Sequence, residues 1–274
     1  MEKIHKENLT ADPTLLALLP LKNVVMLPKS IIPIIVGRPA SIRATEFALK
    51  NNKIIFITAQ KNADCENPNA EDVFNVGIKA TILQVMRMPN GSLKILAEGI
   101  NRARITNSEE MDGFLGVWAE DLPTENGADD LEVEALWRQL SDLYTIYARL
   151  NEKAPTELIS MAKSQDDFDY VTDTIAVHIN LGVTERQSIL ESLSLPERML
   201  RVCGFLQREI EILQTERRIR GLVQDQVDKN QREYYLTEQM KAIQKELGRE
   251  DTSQEIQHIR DTVKNLGLSP EAYQ

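Results

Sequence analysis

Cysteine is almost absent. The 274 residues hold two, Cys65 and Cys203. A disulfide framework needs more, and no Cys-x-x-Cys spacing offers zinc a site. A reducing compartment is therefore expected, with Cys203 a buried core thiol among Val202, Phe205 and Leu206. Histidine is nearly as scarce. His5, His178 and His258 fall in a tail and two expected helices, and none has a second histidine at metal-ligand spacing. His178 reads as packing or surface. Aromatics make up 5% of the chain, so aliphatic side chains must fill the core. No apolar run approaches the ~20 residues needed to span a bilayer. The polar start, with Glu2, Glu7 and Asp12, lacks the apolar stretch of a signal peptide and the acid-poor character of a transit peptide. A cytoplasmic setting is expected. Catalytic signatures are missing too. There is no Gly-x-x-x-x-Gly-Lys-Ser/Thr, no Gly-x-Gly-x-x-Gly and no Gly-x-Ser-x-Gly. No catalytic, cofactor-binding or metal residue is expected in this stretch.

What is present is a charge break. The net charge is −10, yet residues 1–121 hold 14 Lys/Arg and 14 Asp/Glu, while residues 122–274 hold 18 and 28. Two regions with different roles are expected. The pairs Asp129-Asp130 and Asp166-Asp167, with Asp169, fit helix starts, where they complement the helix dipole.

Residues 1–12 read as a tail and 13–121 as a β-rich domain. Leu21–Leu27 is an apolar run ended by Pro28 and is expected to be a strand. Ile31–Val36 is another, and Pro33 inside it points to an irregular or edge strand. Ala40–Lys50 has helical spacing, Lys53–Thr58 reads as a buried strand, and Asn62–Asp72 as a loop. Val76–Met88 and Ser92–Glu98 flank Pro89-Asn90-Gly91, a hairpin signal in which both Asn and Gly tolerate positive φ. Ile82, Leu83, Val85 and Met86 put apolar groups on both faces, as in a small barrel or sandwich covered on both sides. Ala103–Ile105 and Phe114–Ala119 are further strands.

Residues 122–130 (with the run PTENGADD) read as a linker, 131–208 as a helical bundle and 197–248 as one very long projecting helix, with 249–274 beginning a connection onward. Leu136, Leu140, Leu143, Tyr147 and Leu150 form one apolar seam, and Met199, Cys203, Leu206, Ile210 and Leu213 another. Helices are expected over Thr156–Lys163 and Asp167–Leu181, the latter ended by Gly182. Thr184/Gln187 and Ser194/Glu197 have capping-box spacing. The seam lapses at Thr215–Arg220 and resumes at Leu236, Met240, Ile243 and Leu247. About 50 helical residues would extend ~75 Å, too far for a small globule to cover. The fold class is α+β: a β-rich domain, a bundle and a long helix.

Two stretches carry a family resemblance. One is Leu19–Pro28 (LPLKNVVMLP) with Ile32–Arg38 (IPIIVGR), extended by Val76-Gly77, Pro89-Asn90-Gly91 and Glu98–Arg104 (EGINRAR). The other is Asp228–Gly248 (DKNQREYYLTEQMKAIQKELG). The first resembles the opening of the substrate-binding domain of Lon proteases, and the second the long helix that precedes their ATPase module. The resemblance implies a PUA-like β fold and a parent that is a hexameric ATP-dependent serine protease using ATP and Mg²⁺. Such a parent degrades misfolded and short-lived regulatory proteins. This chain would recognise unfolded or degron-bearing substrates and support assembly.

Client binding calls for adaptable apolar groups, and methionine suits it. Met26, Leu27, Ile31, Ile32, Met86 and Met88 are the candidate client-facing residues. Tyr234, Leu236, Met240, Ile243 and Leu247 are the candidate partner-facing stripe, which predicts self-association, as dimers for this chain alone. The alternatives are a holdase without a protease, and a PUA-like RNA-binding module. A neutral β domain and acidic helices lack the basic footprint that phosphate contacts require.

Overall fold

The computed structural model describes residues 15–125, 130–158, 167–246 and 252–265. Six strands are present among the described residues: β1 (Leu15–Leu21), β2 (Ile31–Val36), β3 (Ile54–Ala59), β4 (Val76–Arg87), β5 (Leu93–Met111) and β6 (Phe114–Asp121). Six helices accompany them among the described residues: α1 (Pro39–Lys50), α2 (Asp130–Leu150), α3 (Phe168–His178), α4 (Val183–Glu191), α5 (Leu195–Glu246) and α6 (Thr252–Asn265). The class is α+β, as the sequence implies.

The strands make a barrel with one appendage. β1 pairs parallel with β3, and β3–β4, β4–β5, β5–β6 and β6–β1 are antiparallel, which closes a ring of five. β5 is long enough to pair with β4 and β2 through its first half and with β6 through its second. β2 hangs on β5 at the end of the strand order, the edge position Pro33 anticipates. Along β1, Leu16 and Leu18 enter one core while Ala17, Leu19 and Leu21 enter the other. Burial on both faces explains its unbroken apolar run.

Several expectations need correction. Leu21–Leu27 is not a strand. Asn23 and Lys29 adopt left-handed backbone (φ 57 and 56), which breaks extension, and Val25, Met26 and Leu27 are buried as loop anchors. The strand there is β1, which ends at Leu21. In the β4–β5 turn only Gly91 takes positive φ; Asn90 instead accepts the Ser92 N–H through its side chain at 3.1 Å. Met88 donates to the Ser92 carbonyl at 2.8 Å, so the connection is the expected three residues Pro89-Asn90-Gly91. Leu83, Val85 and Met86 are exposed, so the far end of β4 is not covered on both sides. Gly182 does not end α3, which stops at His178; its N–H donates to Glu185 Oε2 at 2.9 Å and starts α4. That pairing replaces the Thr184/Gln187 box. The expected helix at Thr156–Lys163 lies mostly outside the described residues, as do Asp129, Asp166 and Leu247.

The chain divides into two units, Met1–Leu213 and Gln214–Gln274. In the first, barrel and helices share a continuous core, so the charge break does not separate two independent cores. Both expected seams face the core: Leu136, Leu140 and Tyr147 on α2 and Met199, Cys203, Leu206 and Ile210 on α5 are buried, with Leu143, Leu150 and Leu213 half-buried. Burial pushes the Cys203 thiol up to about 11, which makes it inert.

Polar side chains lock helices to barrel. Arg102 on β5 donates from Nη2 to both Asp173 oxygens (2.6 and 2.8 Å) and from Nε to the Leu190 carbonyl at 3.1 Å. Arg198 on α5, 0% exposed, lies 3.5 Å from Asp173 and pairs with Asp169. Burial pushes the Asp173 carboxyl up, against the pull of both guanidiniums. Gln187 on α4 donates to the Val76 carbonyl of β4 at 2.9 Å.

Tyr144 on α2 gives a pH signature. Burial, then the neighbouring Tyr147, push its hydroxyl up to about 12, and it donates to the half-buried Pro155 carbonyl at 3.0 Å. An unfolded tyrosine ionises near 10. The raised folded value therefore contributes stability that is complete below about pH 10 and is lost as pH rises toward 12. A difference of that size is worth about 2–3 kcal/mol at most. Tyr144→Phe should be less stable by ~0.5–1.5 kcal/mol at about pH 9, from the lost hydrogen bond. That deficit should close or reverse by about pH 11.5. Denaturant titrations of both proteins at the two pH values check it; a constant gap would contradict the assignment.

Candidate functional site

The far ends of β2, β5 and β4 build the site. Opposite residues across the three strands run Ile31–Glu98–Thr81, Pro33–Leu96–Gln84 and Ile35–Lys94–Met86. Each row shares a face, because side chains alternate with period two. The alternation on β4 is reset by a bulge between Ile82 and Gln84, which leaves Leu83 unopposed. Before the bulge, Ile82 points inward and is buried; after it, Gln84 and Met86 point outward.

The outer face is unusually apolar for a solvated antiparallel sheet, where polar residues are the norm. Ile35 is 70% exposed, and Ile31 and Met86 are each 54% exposed. Pro33, Gln84, Met86, Lys94 and Leu96 surround a shallow hollow of about 250 Å³. Arg87, beyond Met86 on the other face, pairs with Glu46 of α1 at 2.7 Å and braces the hairpin end. Along the second edge of β2 runs a groove of about 350 Å³, bounded by the end of β1 and the loop after it.

The structure disperses the six client-facing candidates. Ile31 and Met86 lie on the outer face, Ile32 and Met88 are half-buried, and Met26 and Leu27 sit in the core. The last two are packing residues here, fixed by the loop that turns inward after Asn23. Sequence reasoning missed Pro33, Ile35 and Leu96. The i, i+2 spacing of Ile31, Pro33 and Ile35 carries that signal once β2 is taken as an edge strand. Tyr234, Leu236, Met240 and Ile243 are all exposed along α5.

Among the described residues no group of His, Cys, Asp or Glu could hold a metal ion. Asp167 caps α3 by accepting the Tyr170 N–H at 3.0 Å. Burial alone would raise its carboxyl, but the Lys29 ammonium and that backbone donor outweigh it and hold it low. His258 is exposed on α6, and burial lowers His178. No helix among the described residues is long and apolar enough to cross a membrane.

Residues 15–208 match the family of the ATP-dependent protease La (LON) substrate-binding domain. The Lon protease of Vibrio parahaemolyticus is 41% identical over 255 residues, covering 93% of this chain and 32% of that protein. The Lon protease of Rhizobium meliloti is 40% identical over 255 residues, with the same coverages. The chain thus spans about a third of the length of these curated relatives. The N-terminal domain of a Mycobacterium avium complex Lon protease has the same fold, with a TM-score of 0.58 at 22% identity over 71% of this chain and 98% of that one.

Proposed function

The chain belongs to the Lon substrate-binding domain family, and from that premise we propose that it captures unfolded segments of client proteins on the outer face of β2, β5 and β4. The observation that carries this is an apolar face, Ile31, Pro33, Ile35 and Met86, left in water around half-buried Leu96 and beside Lys94 and Glu98. Isolated exposed apolar residues are ordinary, but a contiguous patch on a sheet marks a binding surface. Methionine and β-branched aliphatics offer shape tolerance at Met86 and a firm ridge at Ile31 and Ile35. Lys94 and Glu98 give the patch both charges, so neither acidic nor basic clients are repelled.

Covering the remaining exposed area of Ile31, Ile35 and Met86 would contribute roughly 1 kcal/mol each. The triple variant Ile31→Ser, Ile35→Ser, Met86→Ser should therefore weaken binding of reduced, carboxymethylated lactalbumin by roughly 100-fold. All three side chains face solvent, so its melting temperature should stay near that of the wild type. Unchanged affinity in a folded variant would remove this face from the function.

In the whole protein, ATP-dependent serine proteolysis, with ATP and Mg²⁺, would belong to the two-thirds of the relatives' length outside the alignment. Capture by this chain would be followed by delivery there, in a reducing cytoplasm suited to its free thiols.

A second role rests on α5. Leu236, Met240 and Ile243, with Tyr234, leave an apolar stripe in solvent at helical spacing. Burying such side chains is worth about 1.5–3 kcal/mol each, which drives association with a second copy. Light scattering should show a concentration-dependent dimer, and Leu236→Ser with Ile243→Ser should return it to monomer. A strict monomer at about 100 µM wild type would end this reading, since millimolar affinities are worth only ~4 kcal/mol.

A further inference from the structure

We propose that the groove beside β2 takes the carboxy-terminal tail of a client as an added parallel strand, with the terminal carboxylate held by Arg38. This rests on the client-binding reading above and names the part of the client that is recognised.

The backbone of β2 has one free edge. Gly99 donates to Ser30 O at 3.0 Å, and Lys29 donates to Gly99 O at 2.8 Å. Counting along the register from there, Ile32, Ile34 and Val36 exchange hydrogen bonds with β5, while Ile31, Pro33 and Ile35 turn theirs the other way. Pro33 thus lacks an N–H only where no ladder bond would use it. Among the described residues nothing pairs with that outer edge. It offers the N–H groups of Ile31 and Ile35 and three carbonyls to an extended chain.

The groove along this edge selects the occupant by charge. Its apolar walls come chiefly from Leu19, Leu21, Val24, Pro33 and Ile35. The charged residues lining it are Lys22 and Arg38, and no carboxylate lines it. Arg38 follows the end of β2 by two residues. Its Nη2 donates to Gln60 Oε1 at 2.5 Å, and its Nη1 is enclosed with no hydrogen-bond partner. No ion pair to Arg38 forms among the described residues, and the first turn of α1 carries no acid. A strand parallel to β2 ends at Arg38, so the group delivered there is the carboxylate at its carboxy terminus. Guanidinium–carboxylate bonds are charge-assisted and geometrically selective. The strand edge supplies affinity that tolerates varied sequence, and the cation supplies recognition of the chain end.

The test uses the full chain and fluorescein-labelled hexapeptides of sequence Ser-Ala-Val-Ala-Leu-Val, about the length of β2 at ~3.3 Å per residue. Three forms are compared by anisotropy: free carboxylate, carboxy-terminal amide, and an amide with aspartate replacing the second alanine. The free carboxylate should bind at least tenfold tighter than both amides. Arg38→Met should erase that preference, and Arg38→Lys should keep part of it. Equal binding of acid and amide, or no binding of either, overturns the proposal. Tight binding of the aspartate amide also overturns it, in favour of acidic side chains. Lactalbumin binding, measured in parallel, separates the two readings. If it persists while the peptides fail to discriminate, the outer face stands and the groove falls.

Discussion

Asp173→Ala is expected to cost about 3–5 kcal/mol, enough to remove a large part of the stability of an ordinary domain. The reason is the company Asp173 keeps. It is buried, accepts two hydrogen bonds from Arg102 and lies 3.5 Å from Arg198. Removing it leaves two guanidiniums in the interior of the first unit, with Arg198 alone keeping a partly exposed carboxylate partner, Asp169. Burial lowers Arg198, and losing Asp173 would remove the larger of the two opposing carboxylate pulls on it. The informative control is the triple replacement Arg102→Met, Asp173→Leu, Arg198→Met. Exchanging a whole buried ion cluster for apolar groups of similar volume is often neutral or stabilising. Urea titrations should thus rank the triple variant well above Asp173→Ala. If the single variant lost under 1 kcal/mol, the cluster would be hydrated rather than buried.

Gly77→Ala should be nearly as damaging, for a steric reason. A Cβ built on Gly77 would lie 2.5 Å from the Ile57 carbonyl oxygen and 2.8 Å from two ring carbons of Phe56. The oxygen belongs to the paired backbone of β3 and cannot swing aside, and Phe56 is fully buried. Overpacking of this kind costs ~1–3 kcal/mol and occasionally more, and contact with backbone puts this site at the upper end. Gly204 provides the contrast. It sits in α5, where a Cβ would meet nothing within 4 Å. There alanine should add about 0.5–1 kcal/mol by restricting the unfolded chain and favouring helix. The same methyl therefore has opposite signs at two glycines, and denaturant midpoints of the two variants would show it directly.

What could be read from the sequence was whatever repeats locally. The seams of α2 and α5 emerge from spacing alone, and Pro33 marks β2 as an edge. The family resemblance carried the overall class. Hidden were features that depend on distant partners. Arg102 and Asp173 are separated by 71 residues, and nothing near either announces the other. Tyr144 falls off the expected α2 seam yet is wholly buried, because the helix is enclosed on a wider arc than one stripe. The apolar run Leu21–Leu27 misleads because period and composition cannot separate a core-anchoring loop from a strand. The outer face at Ile35 and Met86 was partly visible. Met86 was singled out for its chemistry, but its direction depends on a bulge that no pattern in β4 foretells.

That bulge lets β4 carry one residue more than its partner without disturbing the apolar face. Deleting Leu83 would leave Gln84 opposite Leu96 and Met86 opposite Lys94, so both side chains would keep their direction. What the extra residue supplies is local twist and a side chain that nothing on β5 opposes. A chain lacking it would present the same row of residues at a different pitch to the barrel. Length at this position therefore tunes the tilt of the surface, while substitution tunes its chemistry.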